Sequence, residues 1–356
     1  MPHLASVLDA PWWDLGSAEI CKPTHSICGA NCVNRSRGRV RKAYFEQELC
    51  GSDETGGPYF EILRGLSTAR IPVLVCFALD QSWSVARYLH FDHPIWSTCP
   101  MSVEIFSSAD HKCVVFPDLV RGEDGVQANQ FLVVHGKHSA LIDPGGALLY
   151  TPLNLAISRY VQPRELTYIL ASHQDPDVIG SVDRWLLYSD CSIVCSKLWG
   201  RFIPHSVPHY QKGAGGDRYM LVPDEGMDIP MGDIKLRALP AHFLHSVGNL
   251  SFYDPYSKIL FSGDIGASLI AAGTAYEPVE DFSSLVGRME GFHRRYMASN
   301  RVTRLWVRMV RQLPIDMIVP QHGLPMKGKA VADFLSWLEE LECGVDLLGP
   351  ANYRIS

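Results

Sequence analysis

Six side chains with metal-ligating atoms stand at the ends of apolar runs in this 356-residue chain. The segment 172–181, SHQDPDVIGS, follows the apolar run LTYILA and carries His173, Asp175 and Asp177 at alternate positions. Alternate residues of an extended segment share a side, so these three can face one cavity. Pro176 is expected to hold the segment out of a helix, because the residue before a proline avoids the α region. The segment 241–249, AHFLHSVGN, offers His245 with His242 three positions earlier; LFSGD closes on Asp264 and IVPQHG on His322. Each motif alone reads as readily as a solvated turn or a satisfied histidine. Together they describe four runs that all stop in His or Asp. Three clustered carboxylates repel one another and resist ionisation. Two divalent cations remove that repulsion and become the dominant local charges. The expected chemistry is therefore that of a two-metal centre.

The elements that must position these residues are legible from residue 101 onward. VEIFSS and KCVVFPDLV alternate as hairpin strands, as do NQFLVVHG and HSALIDPGG. A helix is expected over 154–161, a buried strand over 166–172, a helix over 178–188 and a strand at SIVCS. IKLRALPA reads as a strand, and LSFYDPYSKILFSG as a hairpin turning at Asp254-Pro255. A long helical region over 283–311 precedes the strand DMIVP and an amphipathic helix over 329–342. Strands and helices in this order predict an α+β fold with two sheets sandwiched between helices. Hydrophobic strands ending in polar residues place the chemistry on a rigid rim.

The first hundred residues differ in texture. They hold six of the ten cysteines and weakly periodic, turn-rich stretches such as CGSDETGGP. We place domain boundaries to give an N-terminal extension of unassigned role (1–100), a metal domain (101–345) and a tail (346–356). Cys21, His25, Cys28 and Cys32 form C-x3-H-x2-C-x3-C, whose spacing matches no standard zinc ribbon, and Trp12, Trp13, Trp83 and Trp96 read as packing residues. A hydrophobic fraction of 47%, a charged fraction of 20% and a net charge of −6 fit a globular protein and argue against a nucleic-acid partner. The basic run 35–42 (RSRGRVRK) reads as a solvated loop. No apolar run approaches the roughly 18 residues of a membrane span, and the first residues lack the basic start of a secretory signal. Scattered cysteines suggest reduced thiols and a cytoplasmic setting.

The order HxDxD, H, D, H at strand ends resembles the metallo-β-lactamase superfamily. Within it, PAHFLHS and EGFHRRYM make the chain most similar to the di-iron domain of flavodiiron proteins and to stand-alone oxygen-binding di-iron proteins. The resemblance implies an αββα sandwich and a homodimer. It assigns His173, Asp175 and His245 to one metal, Asp177 and His322 to the other, and Asp264 to a bridge between them. Two positions depart from the flavodiiron pattern HxExDH. Asp175 stands where a glutamate is usual, and Val178 stands where a histidine would bind the second metal. Val178→His is accordingly expected to supply that ligand, whereas His242 is expected to have a structural or supporting role.

Three imidazoles and three carboxylates, with no thiolate, suit iron or manganese and are tolerated by zinc. Two iron ions are the expectation. The 34 residues after His322 are too few for a flavodoxin domain, and no phosphate loop marks an FMN site. The leading expectation is a non-haem di-iron protein that binds O2 as sensor or carrier, with a separate redox or signalling partner. The alternatives are an O2 or NO reductase fed by a separate electron donor, and a metal hydrolase.

Overall fold

The structure, a computed structural model, describes residues 102–119, 126–207, 218–271 and 273–355, together with the backbone of four earlier strands. The Cys21/His25/Cys28/Cys32 motif, the basic run 35–42 and the side chains of the four N-terminal tryptophans lie outside the described residues.

The chain divides into two compact units. The first, residues 16–98, contains β1 (Phe45–Glu48), β2 (Phe60–Gly65), β3 (Val73–Leu79) and β4 (Ser82–Leu89). These pair antiparallel in sequence order as a meander.

The second unit holds two sheets. One is built from β5 (Val103–Ser107), β6 (His111–Pro117), β7 (Asn129–His135), β8 (His138–Ile142), β9 (Tyr168–Leu170), β10 (Ser192–Ser196) and β11 (Tyr219–Val222), in the order β11-β10-β9-β8-β7-β6-β5. Its β5–β8 part is antiparallel, and β8 through β11 run parallel. The other is built from β12 (Met227–Met231), β13 (Ile234–Pro240), β14 (Leu250–Asp254), β15 (Ile259–Gly263), β16 (Met317–Pro320) and β17 (Met326–Lys327), paired in chain order. The β15–β16 pairing is parallel and the rest antiparallel.

Strand residues alternate between two buried faces, which is why the strands read as near-continuous apolar runs. Phe131, Val133 and Ile142 of the first sheet meet Phe252, Phe261 and Val319 of the second in the central layer. Leu132, Leu141 and Ile169 point outward, under α1 (Tyr150–Ile157), α2 (Pro176–Ile179) and α3 (Val182–Tyr188). On the far side Tyr253, Leu260 and Ile318 pack beneath α4 (Ser283–Tyr296), α5 (Asn300–Val310) and α6 (Lys329–Glu340). The result is an αββα sandwich, as the strand order predicts. Among the described residues no helix is long and apolar enough to cross a membrane.

Four local expectations need correction. The helix expected over 154–161 begins earlier, at Tyr150, and ends at Ile157. The region 283–311 is two helices, broken at 297–299 where Met297 and Ser299 adopt extended backbone. The helix expected over 178–188 is also two, α2 and α3, interrupted at Gly180 and Ser181. Pro176 does not keep its segment extended; it starts α2. A proline restrains the residue before it, and Asp175 is indeed extended (φ −67°, ψ 151°), but its own φ suits the first helical position.

The sheets meet through aromatic contacts such as Phe131–Phe261, with ring centroids 5.2 Å apart. Phe261→Ala is expected to leave a cavity between the sheets and destabilise this unit by about 3–5 kcal/mol. Chemical denaturation followed by circular dichroism measures that loss.

Candidate metal centre

One end of the sandwich collects the strand ends that matter. Residue 173 follows β9, and Asp175 and Asp177 flank the start of α2. His245 lies five residues beyond β13, Asp264 directly follows β15, and His322 comes two residues after β16. Backbone bonds tie these loops together. Leu250 N–H donates to the Ser172 carbonyl at 2.8 Å, Gln321 N–H to Gly263 at 2.8 Å, and Ser268 N–H to His322 at 3.1 Å. Glycine is required beside two of the residues. Gly263 has φ +61°, and a Cβ there would meet Ser172 at 3.2 Å; at Gly323 (φ +95°) it would lie 2.1 Å from the Ser268 hydroxyl.

The six side chains face one another in two groups that share Asp264. Its Oδ2 lies 3.3 Å from His245 Nε2 and 3.9 Å from His173 Nε2, while Asp175 Oδ2 lies 3.2 Å and 3.6 Å from the same two nitrogens. The other oxygen of Asp264, Oδ1, lies 3.6 Å from His322 Nε2, which in turn is 3.4 Å from Asp177 Oδ2. Ligating atoms of His173, Asp175 and His245 all fall within 4.8 Å of one another. Most of these separations are long for hydrogen bonds, and they are the spacings of neighbouring ligands around a cation with bonds near 2.1 Å. His245 Nε2 and Asp264 Oδ1 are buried and have no hydrogen-bond partner among the described residues. A buried polar atom left so costs about 1–3 kcal/mol, a debt that a cation removes. The residues therefore fit a pair of metal ions.

Outer partners orient two of the imidazoles. Ser172 Oγ donates to Asp143 Oδ2 at 2.9 Å, so it must accept from His173 Nδ1, also at 2.9 Å. His322 Nδ1 donates to the Gln127 carbonyl at 2.5 Å. Both rings thus carry their proton on Nδ1 and present the Nε2 lone pair to the cluster. Asn129 Nδ2 bonds the carbonyls of Pro320 and Gly323, bracing the loop of His322 against the other sheet. His293 on α4 is buried and neutral. Burial depresses its pKa to about 4, its Nδ1 donates to Met289, and its Nε2 accepts from Gly266 N–H, two residues past Asp264.

Electrostatics register the crowding. Burial alone would lower the His173 pKa, but the Asp264, Asp175 and Asp143 carboxylates raise it to about 9. His322, likewise buried, is raised to about 9 by Asp177 and Asp264. Hydrogen-bonding contact with His173 and His245 holds Asp175 well below the usual carboxylate range. Burial raises Asp143 to about 6. Without a metal, protons on the imidazoles are what offsets the carboxylates.

All six residues singled out in the sequence meet at this rim. His242 does not; its Nε2 bonds the Asp224 carbonyl at 2.9 Å on the exposed side. Val178 is fully buried within the outer apolar layer. The supporting residues Asp143, Ser172, Gln127, Asn129 and His293 escaped the sequence reading. Only EGFHRRYM, which contains His293, carried a signal; from the same stretch Phe292 and Tyr296 set their rings edge-on to His245 at 6.0 and 5.6 Å.

A model of the family described as ODP family beta lactamase matches residues 126–323, more than half of the chain. The chain belongs to the ODP family. The chemotaxis sensor ODP, solved as a peroxy di-iron species, is 39% identical, with 69% of this chain and 97% of that one covered at a TM-score of 0.61. Its apo state from T. denticola gives 39% identity, coverage of 69% and 96%, and a TM-score of 0.62. A flavo di-iron protein from Thermotoga maritima, at 21% identity, shares the fold over 67% of this chain and 60% of its own, with a TM-score of 0.54. An uncharacterized protein of Methanocaldococcus jannaschii is 26% identical over 203 residues, 57% of this chain. This ODP-family chain spans about half the length of that curated relative, 50%.

Two variants test the geometry. Asp264→Ala removes the carboxylate shared by both groups and is expected to empty both metal positions, whereas Asp177→Ala is expected to empty one; elemental analysis per chain separates these. Val178→His places an imidazole in an apolar layer, costing the metal-free protein about 1–3 kcal/mol. Its metal-free form is expected to melt below the metal-free parent and to gain more on metal addition than the parent does. Equal gains would mean the new ring does not reach the metal.

Proposed function

We propose that this chain is a non-haem di-iron protein that binds O2, acting as an oxygen sensor or carrier. The observation that carries the reading is the Asp264 carboxylate, whose two oxygens face two separate His/Asp groups. His173, Asp175 and His245 would hold one ion and Asp177 with His322 the other, with Asp264 bridging. The all-nitrogen-and-oxygen donor set suits iron. Of those donors three are carboxylates, more anionic than the nitrogen-rich sets of zinc hydrolases, and this favours oxidisable iron over hydrolytic zinc. A bound iron pair would supply electrons shared between neighbouring ions to a diatomic ligand.

The chain's own residues set the conditions for that ligand. Val178, where related patterns place a histidine, leaves the second group one nitrogen poorer. Phe292 and Tyr296 wall off His245, and Ser172 with Asp143 fixes the His173 ring. Residues 101–345 would form the oxygen-binding domain, with residues 1–100 an extension of unassigned role. The cysteines at 113, 191, 195 and 343 are all free and buried, which supports a reducing, cytoplasmic setting. We infer a homodimer from the family alone.

Anaerobic protein loaded with two ferrous ions is expected to develop a visible absorption band within seconds of mixing with O2, without sustained oxygen consumption. An iron-loaded sample that stays spectrally unchanged overturns the proposal. Steady O2 or NO consumption with an added reductase would instead make the chain a reductase. Zinc in the purified protein, together with hydrolysis of thioester, phosphodiester or lactam substrates, would make it a hydrolase.

A further inference from the structure

At the opposite end of the sandwich lies a second convergence of ligating atoms that the di-iron reading does not use. His111 and Cys113 share the inward face at the start of β6, and Asp254 ends β14 in the facing sheet. Asp254 pairs with Ile259 at the start of β15, whereas Asp264 follows its end. At about 3.3 Å per residue the two clusters are some 16 Å apart along that strand. His111, Cys113 and Asp254 are essentially inaccessible, at 1%, 0% and 0% exposure.

Their atoms point at one another. His111 Nε2 is 2.8 Å from Asp254 Oδ2, and Cys113 Sγ is 3.5 Å from each of them. Ser257 Oγ lies 3.5 Å from the same sulfur and bonds Asp254 Oδ2. A tetrahedral ion with bonds of about 2.0–2.1 Å to nitrogen and oxygen and about 2.3 Å to sulfur sets its N···S and O···S separations near 3.6 Å. The sulfur is already at that spacing, and the nitrogen and oxygen need only part by about half an ångström.

The remaining bonds fix the histidine. His111 Nδ1 lies 3.2 Å from Nδ1 of His135, its cross-strand partner on β7, and His135 Nε2 donates to Asp233 Oδ1 at 2.7 Å. Tyr256 stacks on the His111 ring at 4.6 Å. Suppose His111 donates to His135. With both rings neutral, its Nε2 then faces the Asp254 carboxylate lone pair to lone pair. Suppose instead that His135 donates. It must then donate from both nitrogens and carry a positive charge. With neutral rings the network is one positive charge short: either an extra proton on His135 supplies it, or a cation between His111 Nε2 and Asp254 Oδ2 does.

We propose that His111, Cys113 and Asp254 form a second, mononuclear site for a borderline divalent cation of the zinc type, with the Ser257 hydroxyl or a water as fourth ligand. A divalent ion with one thiolate and one carboxylate is neutral overall, as a fully buried site requires. The His135–Asp233 pair holds the ligating imidazole in the right tautomer, as outer carboxylates do in zinc sites. Burial, followed by the Asp254 charge, pushes the Cys113 thiol well up in the metal-free protein, so ion binding must release its proton. The donors differ from those of the other end, which has no sulfur.

The test uses the full chain stripped of metal and titrated with Co²⁺, whose thiolate complexes show a charge-transfer band in the near ultraviolet. One equivalent is expected to produce that band in the parent and in Cys195→Ala, and the band is expected to vanish in Cys113→Ala. No band in the parent, or a band that persists in Cys113→Ala, overturns the proposal and leaves a proton as the cation of the network. Should Cys113→Ala fail to fold by circular dichroism, His111→Gln, which keeps the thiol, is expected to weaken that equivalent at least tenfold; unchanged affinity there is equally fatal.

Discussion

Three aspartates brought within reach of one another at the edge of a protein core demand positive charge. Asp175, Asp177 and Asp264 meet His173, His245 and His322 in six carboxylate–imidazole pairs between 3.2 and 3.9 Å apart. At those separations, partly removed from water, uncompensated carboxylates repel strongly. The raised pKa values of His173 and His322 express that demand. Metal ions answer it better than protons, because a proton binds one acceptor closely while an ion gathers several. The rest of the rim follows from keeping those donors in place.

The donors come from both sheets, so the distance between sheets is also a distance between ligands. Residues 173, 175 and 177 belong to the first sheet's edge of the site, and 245, 264 and 322 to the second's. A close-packed interior has discrete arrangements and transmits strain rather than absorbing it. The central layer of Phe131, Phe252, Phe261 and Val319 thus acts as the spacer that sets metal-site geometry. At the rim itself, hydrogen bonds replace packing. Asn129 from the first sheet grips the two carbonyls that flank His322 in the second, and Leu250 N–H reaches across to Ser172.

The primary donors were legible because each closes its own apolar run, and a strand's end is a local property. The supporting residues were not, because their roles exist only after distant strands pair. Asp143 reads as part of the turn in HSALIDPGG. Only when β8 lies parallel to β9 does it come beside Ser172 and, through it, His173. Asn129 and Gln127 read as polar residues at and just before the start of a strand, 191 and 195 positions from the carbonyl and the histidine they hold. The helical breaks at 180–181 and 297–299 carry no proline, so periodicity ran straight through them. Strands β11 and β12 were missed as well; each is short, and β11 sits at a sheet edge with an exposed Leu221.

The two ends of the sandwich pose one electrostatic problem and answer it with different ligand chemistry. At the rim of Asp264, oxygen and nitrogen donors divide around a shared carboxylate, a donor set that suits hard and borderline ions. At the turn of Asp254, a buried thiol replaces one oxygen, and the hydrogen-bond chain through His135 ends on Asp233, whose side chain is 88% exposed. Softer donors and full burial favour an ion that does no redox chemistry and has no open position. An ion there would join β6 of one sheet to the β14–β15 turn of the other, clamping the sandwich at the end remote from the Asp264 rim. Both ends of β15 would then be pinned by metals, and donor softness, rather than affinity alone, would keep each ion at its own end.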